Sequence, residues 1–304
     1  MKQNPNCYQF IIDRPGVRLD KFVSEKCPGL SRSQAQKIID DGLVTVDGLI
    51  EKASHKTETG ERIEITIPPQ VPSGLLPEAI PVKILYEDDD LLVIDKPAGL
   101  TVHPAPGHLS HTLVNAVLSH LSEIEDEADI TRPGIVHRLD KDTSGVMLVA
   151  KNNVALANLS DQFKSRSVKK VYLTLVKGIL KPERGVIEAP IGRDSGDRKK
   201  MAITGESRGR QARTNYRVLR YVGKNTLLEI TPETGRTHQI RVHLAAIGYP
   251  VIGDATYGKK SAFINRQFLH AHRLGFYLPS SGKFVEFESP LPEDLQKALK
   301  ELDK

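Results

Sequence analysis

Five prolines fall within fourteen residues at 68–81, PPQVPSGLLPEAIP. Proline fixes φ and has no amide N–H, so neither a helix nor a central strand can run through this stretch. The chain therefore divides. We expect an N-terminal extension at 1–15, a small domain at 16–75 and a large domain at 76–304, with 68–81 as the linker. A chain of 304 residues can bury one substantial core and a second, smaller one.

The small domain reads as two short helices and a β-unit. VRLDKFVSEKC (17–27) sets Leu19, Phe22 and Val23 on one helical face. SRSQAQKIIDDG (31–42) opens with a capping box from Ser31 to Gln34 and closes on Gly42. LVTVDG (43–48) and ERIEITI (61–67) alternate as strands, the first ending in an Asp-Gly turn. The run RLDKFVSEKCPGLSRSQAQKIIDDGLVTVDG resembles the S4 RNA-binding domain. The helix from Ser31 carries Arg32 and Lys37 on its polar side, where the resemblance implies RNA contact.

Beyond the linker, VKILYEDDDLLVIDKP (82–97) reads as a hairpin with an acidic turn, GVMLVAK (145–151) as a buried strand and KKVYLTLVKGIL (169–180) as an alternating strand. HTLVNAVLSHL (111–121) and NNVALANLSDQFKSR (152–166) read as helices, and LLEITPETGRTHQIRVHLAAIG (227–248) as strand, turn and helix. There is no strict βαβ alternation. The expected class is α+β, a mixed, largely antiparallel sheet with flanking helices.

Charge is unevenly spread. Residues 1–75 hold ten Lys and Arg against ten Asp and Glu, whereas residues 162–241 hold nineteen against seven, a net of +12. Such lopsidedness favours a polyanion such as nucleic acid over an ordinary solvated surface. The segment 193–216, RDSGDRKKMAITGESRGRQARTNY, reads as a basic hairpin or loop facing that partner, or otherwise as a soluble surface loop. No apolar run approaches the ~18 residues of a membrane helix, and the N-terminus has no long apolar h-region. Two cysteines, Cys7 and Cys27, make no disulfide framework. A cytoplasmic monomer that meets no membrane is expected.

The densest chemistry lies in GIVHRLDKDTSG (134–145), where His137, Arg138, Asp140, Lys141 and Asp142 crowd the approach to an apolar strand. Asp140, Asp142, Ser144 and Gly145 begin like a calcium loop, but the twelfth position is Lys151 and not the required glutamate. His103, His108, His111, His137, His238 and His243 share no metal-ligand spacing, so no metal is expected. Asp140 can be a plain turn residue. It can equally be a reactive carboxylate, which beside apolar strands needs a cationic partner to stay ionised.

This segment resembles the signature of the RluA/RluD-type pseudouridine synthases. Three others fit the same family: IDKPAGLTVHP (94–104), KKVYLTLVKG (169–178) and ETGRTHQIRVHLAAIGYPVIGDATYG (233–258). The resemblance implies the synthase fold and an isomerase that detaches uracil from its ribose, turns it and rejoins it through carbon, with no cofactor. Asp140 is implied as the catalytic aspartate, acting as nucleophile or base. Arg241 is implied as its ion-pair partner and Tyr172 as the tyrosine beside the base. Arg138 is implied as the residue that enters the RNA when the base leaves. Residues alone would also allow Arg241 a place on a helix surface and Tyr172 a place in the core.

The resemblance further implies that the basic region holds the RNA backbone, with Lys169, Lys170, Arg193, Arg198, Lys199, Lys200, Arg208, Arg210, Arg213 and Arg236 as contacts. The small domain, VHPAPG and RPGIVHRLDKDTSG lean to the members that act on large-subunit ribosomal RNA, free or in a pre-ribosomal particle. A synthase for transfer RNA, a non-catalytic ribosome-assembly factor and a nuclease using Asp140, Asp142 and His137 are the alternatives.

Overall fold

A computed structural model describes residues 6–13, 15–27, 30, 32–67, 76–104, 110–122, 134–197 and 200–304. The chain forms two compact units, Met1–Gly74 and Leu75–Lys304.

In the small unit β1 (Asn6–Ile11), α1 (Leu19–Lys26), α2 (Arg32–Asp40), β2 (Val44–Val46), β3 (Leu49–Ile50) and β4 (Arg62–Ile67) follow in order. The sheet runs β1-β4-β2-β3, all antiparallel. Residues 6–11, expected in an extension, are thus an edge strand of this sheet, in register with all of β4. The helices close over Leu19, Phe22, Val23, Ala35, Ile39, Ile63 and Ile65. Asp47 and Gly48 take positive φ at the β2–β3 turn, as an Asp-Gly hairpin demands. The Ser31 cap lies outside the described residues.

Asp20 on α1 is wholly buried, yet polar. Its carboxylate accepts from Arg18 Nη2 at 2.9 Å, Arg32 Nη2 at 3.1 Å and Gln36 Nε2 at 2.7 Å. The bond from Arg18, outweighing burial, holds this carboxyl well below the usual carboxylate range. Both arginines remain about half exposed, and Lys37 is exposed on α2.

The large unit is built on a ten-stranded sheet. Its elements are β5 (Lys83–Glu87), β6 (Leu91–Lys96), α3 (Leu113–Ser122), β7 (Gly134–Ile135), β8 (Ser144–Ala150), α4 (Asn153–Lys164), β9 (Lys169–Lys177), β10 (Arg184–Glu188), β11 (Ile191–Arg193), β12 (Met201–Ile203), β13 (Arg213–Val222), β14 (Asn225–Pro232), α5 (Gln239–Ala246), β15 (Leu269–Tyr277), β16 (Phe284–Glu288) and α6 (Glu293–Leu302). The strand order is β10-β13-β14-β9-β15-β8-β6-β5, with β16 on β15 and β7 on β8. A separate two-stranded sheet pairs β11 with β12. Among the described strands, only β15 and β8 pair in parallel. The α+β class expected from the sequence is the observed one. Residues 76–81, assigned to the linker, belong to this unit: Asn115 Nδ2 donates to Leu76 O at 2.8 Å, and Ile80 packs on the core beneath α3.

All seven residues of β8 are buried because both of its faces are covered. Met147 and Val149 join Leu92 and Ile94 under α3, while Val146 and Leu148 join Leu91 and Val93 under α4. Gly145, the second residue of β8, has φ +120°, and a Cβ there would collide with the Ala271 carbonyl on β15. The parallel β8–β15 pair therefore requires glycine there.

Candidate active site

The HRLD segment bridges β7 and β8. Its 140–143 turn closes through Thr143 N–H to Asp140 O at 3.0 Å. The turn is anchored from outside. Arg266 Nη1 donates to Asp142 O at 3.0 Å, and Gly99 N–H to Lys141 O at 2.9 Å. Lys96, the lysine of IDKPAG, is fully buried and donates to the carbonyls of Pro97, Leu100 and Lys141 at 2.8, 2.8 and 3.0 Å. Burial lowers its pKa to about 7, while Asp142 and Asp140 favour the charged form. Three carbonyls match the three donors of an ammonium, so this side chain fastens the first motif to the turn that carries Asp140.

Asp140 is mostly buried and meets Arg241 of α5, whose Nη1 donates to Oδ2 at 3.0 Å. Arg241 itself is 7% exposed in its side chain, far from a surface arginine. Its Nε and Nη2 grip Asp254 at 2.7 and 2.9 Å. Burial opposes charge on both partners, but the paired bonds prevail: Arg241 is raised and Asp254 lies below the usual carboxylate range. Asp254 also accepts from the amides of Thr256 and Tyr257. Gly253, at φ +78°, makes that turn possible.

The start of α5 is set by Gln239. Its Oε1 accepts from Thr234 Oγ1 and the Arg236 amide, while its Nε2 donates to Arg213 O and Thr214 Oγ1. His238 caps the helix in a left-handed conformation, φ +56°. Its Nε2 lies 3.9 Å from Asp140 Oδ1, and its Nδ1 lies 2.8 Å from Tyr257 Oη. The Tyr257 ring also lies 5.1 Å from the Arg241 guanidinium, a cation–π contact.

A cavity of about 750 Å³ opens here, lined by Asp140, Arg241, Arg138, Tyr172, His137 and His238 among others. Tyr172, on β9, also packs against two cores. Burial and the charge of Asp140 raise its pKa, so the phenol stays protonated. Arg138 is exposed on the cavity wall. His137 is a structural group: its Nε2 accepts the Leu148 amide at 2.9 Å and its ring stacks on Phe163. Burial, with Lys170, lowers its pKa to about 3, and it stays neutral.

Lysines and arginines gather on the same lining: Lys164, Arg166, Lys170 and Arg236. Burial and Arg166 lower Lys170 to about 8, against Glu233. Burial, Arg210 and Arg166 likewise lower Arg236. Lys169 is exposed and lies over the Phe284 ring at 5.0 Å. Arg193, Arg208 and Arg210 are exposed, on β11 and in the β12–β13 connection. Lys200 lies 3.9 Å from Asp197. Arg213 is taken up by Glu188 and Glu233, at 3.3 and 3.0 Å. Arg198 and Lys199 lie outside the described residues. The basic segment forms the β11–β12 ladder and the start of β13.

Asp254, Tyr257, Lys96 and Gln239 were not singled out from the sequence, and His238 only as a rejected metal ligand. All five stand inside the motifs quoted above. No helix among the described residues is long and apolar enough to cross a membrane.

A mostly buried, arginine-held carboxylate and a tyrosine thus share one cavity with a wall of cations. Comparison with known proteins gives its kind. Residues 90–246 match the family model described as RNA pseudouridylate synthase, and residues 17–63 match the S4 domain. The chain belongs to the RNA pseudouridylate synthase family: it is an RNA-modifying isomerase with an N-terminal S4 RNA-binding domain. It is 46% identical to an RNA pseudouridine synthase of Aquifex aeolicus, over 94% of this chain and 93% of the relative. It is 42% identical to ribosomal large subunit pseudouridine synthase D of Nitrosomonas europaea, over 98% and 88%. The solved human RNA pseudouridylate synthase domain containing 1 superposes with a TM-score of 0.57 at 31% identity, covering 70% of this chain and 84% of that one.

Proposed function

We propose that this synthase isomerises particular uridines of large-subunit ribosomal RNA and that Asp140 is its catalytic carboxylate. The observation that carries the proposal is the 3.0 Å bond from buried Arg241 to Asp140 in the wall of the cavity. It occupies one oxygen of the carboxylate and leaves the other open toward the cavity. The target uridine must leave the RNA stack to reach it. Tyr172 then supplies a flat apolar surface for the uracil, Arg138 fills the place the base has left, and the cations on the cavity wall hold phosphates.

The reaction exchanges the N1–C1′ bond for a C5–C1′ bond. N1 gains a proton and C5 loses one, so atoms and electrons balance without an oxidant or reductant. Asp140 assists the cleavage as nucleophile or base. The large-subunit target is supported by relatives that carry it in their names.

The test uses large-subunit RNA tritiated at uracil C5. Tritium should be released by the wild type in the presence of chelator, and Asp140→Asn should release it at least ~100-fold more slowly while binding RNA normally. Full turnover by Asp140→Asn would reject the assignment. Release only from transfer RNA would reject the target.

A further inference from the structure

Asp140 offers its two oxygens to different neighbours. Oδ2 is taken by Arg241, and Oδ1 faces His238 Nε2 across 3.9 Å. That is too long for a hydrogen bond, but it is a span one oxygen atom can bridge with two bonds of about 2.8 Å.

Tyr257 stands against the ring nitrogen of His238 that does not face Asp140. Its Oη accepts the Met201 amide at 2.9 Å and keeps its own O–H, which can be donated to His238 Nδ1 at 2.8 Å. Nδ1 is then an acceptor, and the neutral ring bears its proton on Nε2. Burial lowers the pKa of His238; Arg241 and Arg138 act the same way, against Asp140 and Asp254, and the ring is neutral near pH 7. The left-handed backbone at His238 and the edge-on Tyr257 ring fix its direction.

The site therefore sets a donor, Nε2–H, beside an acceptor, Oδ1. A carbonyl or an ether oxygen satisfies only the first. A hydroxyl satisfies both, accepting from the imidazole and donating to the carboxylate. Within an RNA strand the 3′ and 5′ oxygens are esterified, and the free hydroxyl is the 2′-OH, one carbon from the C1′ at which the glycosidic bond is exchanged. We propose that His238 and Asp140 Oδ1 together bind the 2′-hydroxyl of the uridine entering the cavity, and so select ribose over deoxyribose at that nucleotide. The inference rests on the uridine-isomerising reading above.

The test compares two C5-tritiated RNAs that differ only in carrying uridine or 2′-deoxyuridine at the target. The wild type should favour the ribose by ~100-fold in kcat/KM, since a polar pair built for a hydroxyl is left unsatisfied without it. His238→Ala should reduce that preference to ~10-fold or less, and His238→Gln, which restores an N–H, should recover most of it. Tyr257→Phe should fall between them. Each preference is a ratio within one variant, so a general loss of folding or activity cancels. For variants too slow to assay, the ratio of the two RNA dissociation constants replaces it. Equal discrimination by wild type and His238→Ala, or none by the wild type, overturns the proposal. No turnover of any uridine RNA by the wild type would overturn the underlying reading instead.

Discussion

Arg241 holds both oxygens of Asp254 with Nε and Nη2, and only then reaches Asp140 with Nη1. The guanidinium is aimed by a carboxylate that is itself 1% exposed. Asp254→Ala leaves a buried arginine with half its charge partners. Removing one member of such a pair costs about 3–5 kcal/mol. The urea midpoint should fall accordingly, and kcat/KM should drop by ~100-fold because Arg241 no longer fixes Asp140. An unchanged midpoint would place Asp254 outside the support of the site.

His137 makes stability depend on acid. Its folded pKa is about 3, whereas an unfolded histidine titrates near 6.5. Between these values the unfolded chain binds the extra proton and the folded chain does not. Stability from this group is therefore complete above about pH 6.5 and is lost as the pH falls toward 3. His137→Gln keeps an acceptor for the Leu148 amide but does not titrate. Urea unfolding measured from pH 7 to 4 should be less steeply pH-dependent in that variant.

Gly145→Ala introduces a Cβ against the Ala271 carbonyl and a positive φ that alanine resists. The cost should be at least ~3 kcal/mol, since neither strand can withdraw without breaking the β8–β15 ladder. Thermal unfolding reads it directly. A variant of normal stability would mean that the two strands separate readily.

The cations differ in what they are free to do. Arg236 and Lys170 hydrogen-bond backbone carbonyls, to Gln211 O at 3.2 Å and Thr234 O at 3.4 Å, whereas Arg213 is paired with two glutamates. Arg236→Gln and Lys170→Met should each weaken RNA binding and reduce the slope of log K against log salt by about 1. Arg213→Gln should change the slope by less than half as much. Equal effects of all three would show that the glutamates do not neutralise Arg213 toward RNA.

Much of this was legible from local chemistry. The periodicity of 152–166 placed α4, the Asp-Gly pair placed the β2–β3 turn, and charge beside an apolar strand drew attention to Asp140. What local pattern cannot give is a partner 101 residues away, the separation of Asp140 from Arg241, without a family resemblance to suggest it. Asp254 was invisible for a related reason. In VIGDATYG it looks like a turn aspartate, and it is one, accepting two local amides. Its second task exists only once α5 is folded against it. Lys96 was hidden because lysine reads as surface, and only the fold supplies three converging carbonyls. The β1 edge strand went unrecognised because its partner, β4, lies some fifty residues further on.

Counting residues makes the small unit electrically neutral, but Asp20 sits beneath Arg18 and Arg32 rather than among them. The three together carry a net +1, with both positive groups outward and the negative one beneath them. Far from the surface the domain's other charges cancel that excess, and within a few ångströms they do not. A phosphate drifting past would pass this domain almost unattracted, while one already in contact would meet two guanidinium groups held in place from below. The total charge of a domain describes how it recruits a partner from a distance; the depth at which its counter-charges are stored describes how it keeps hold of one.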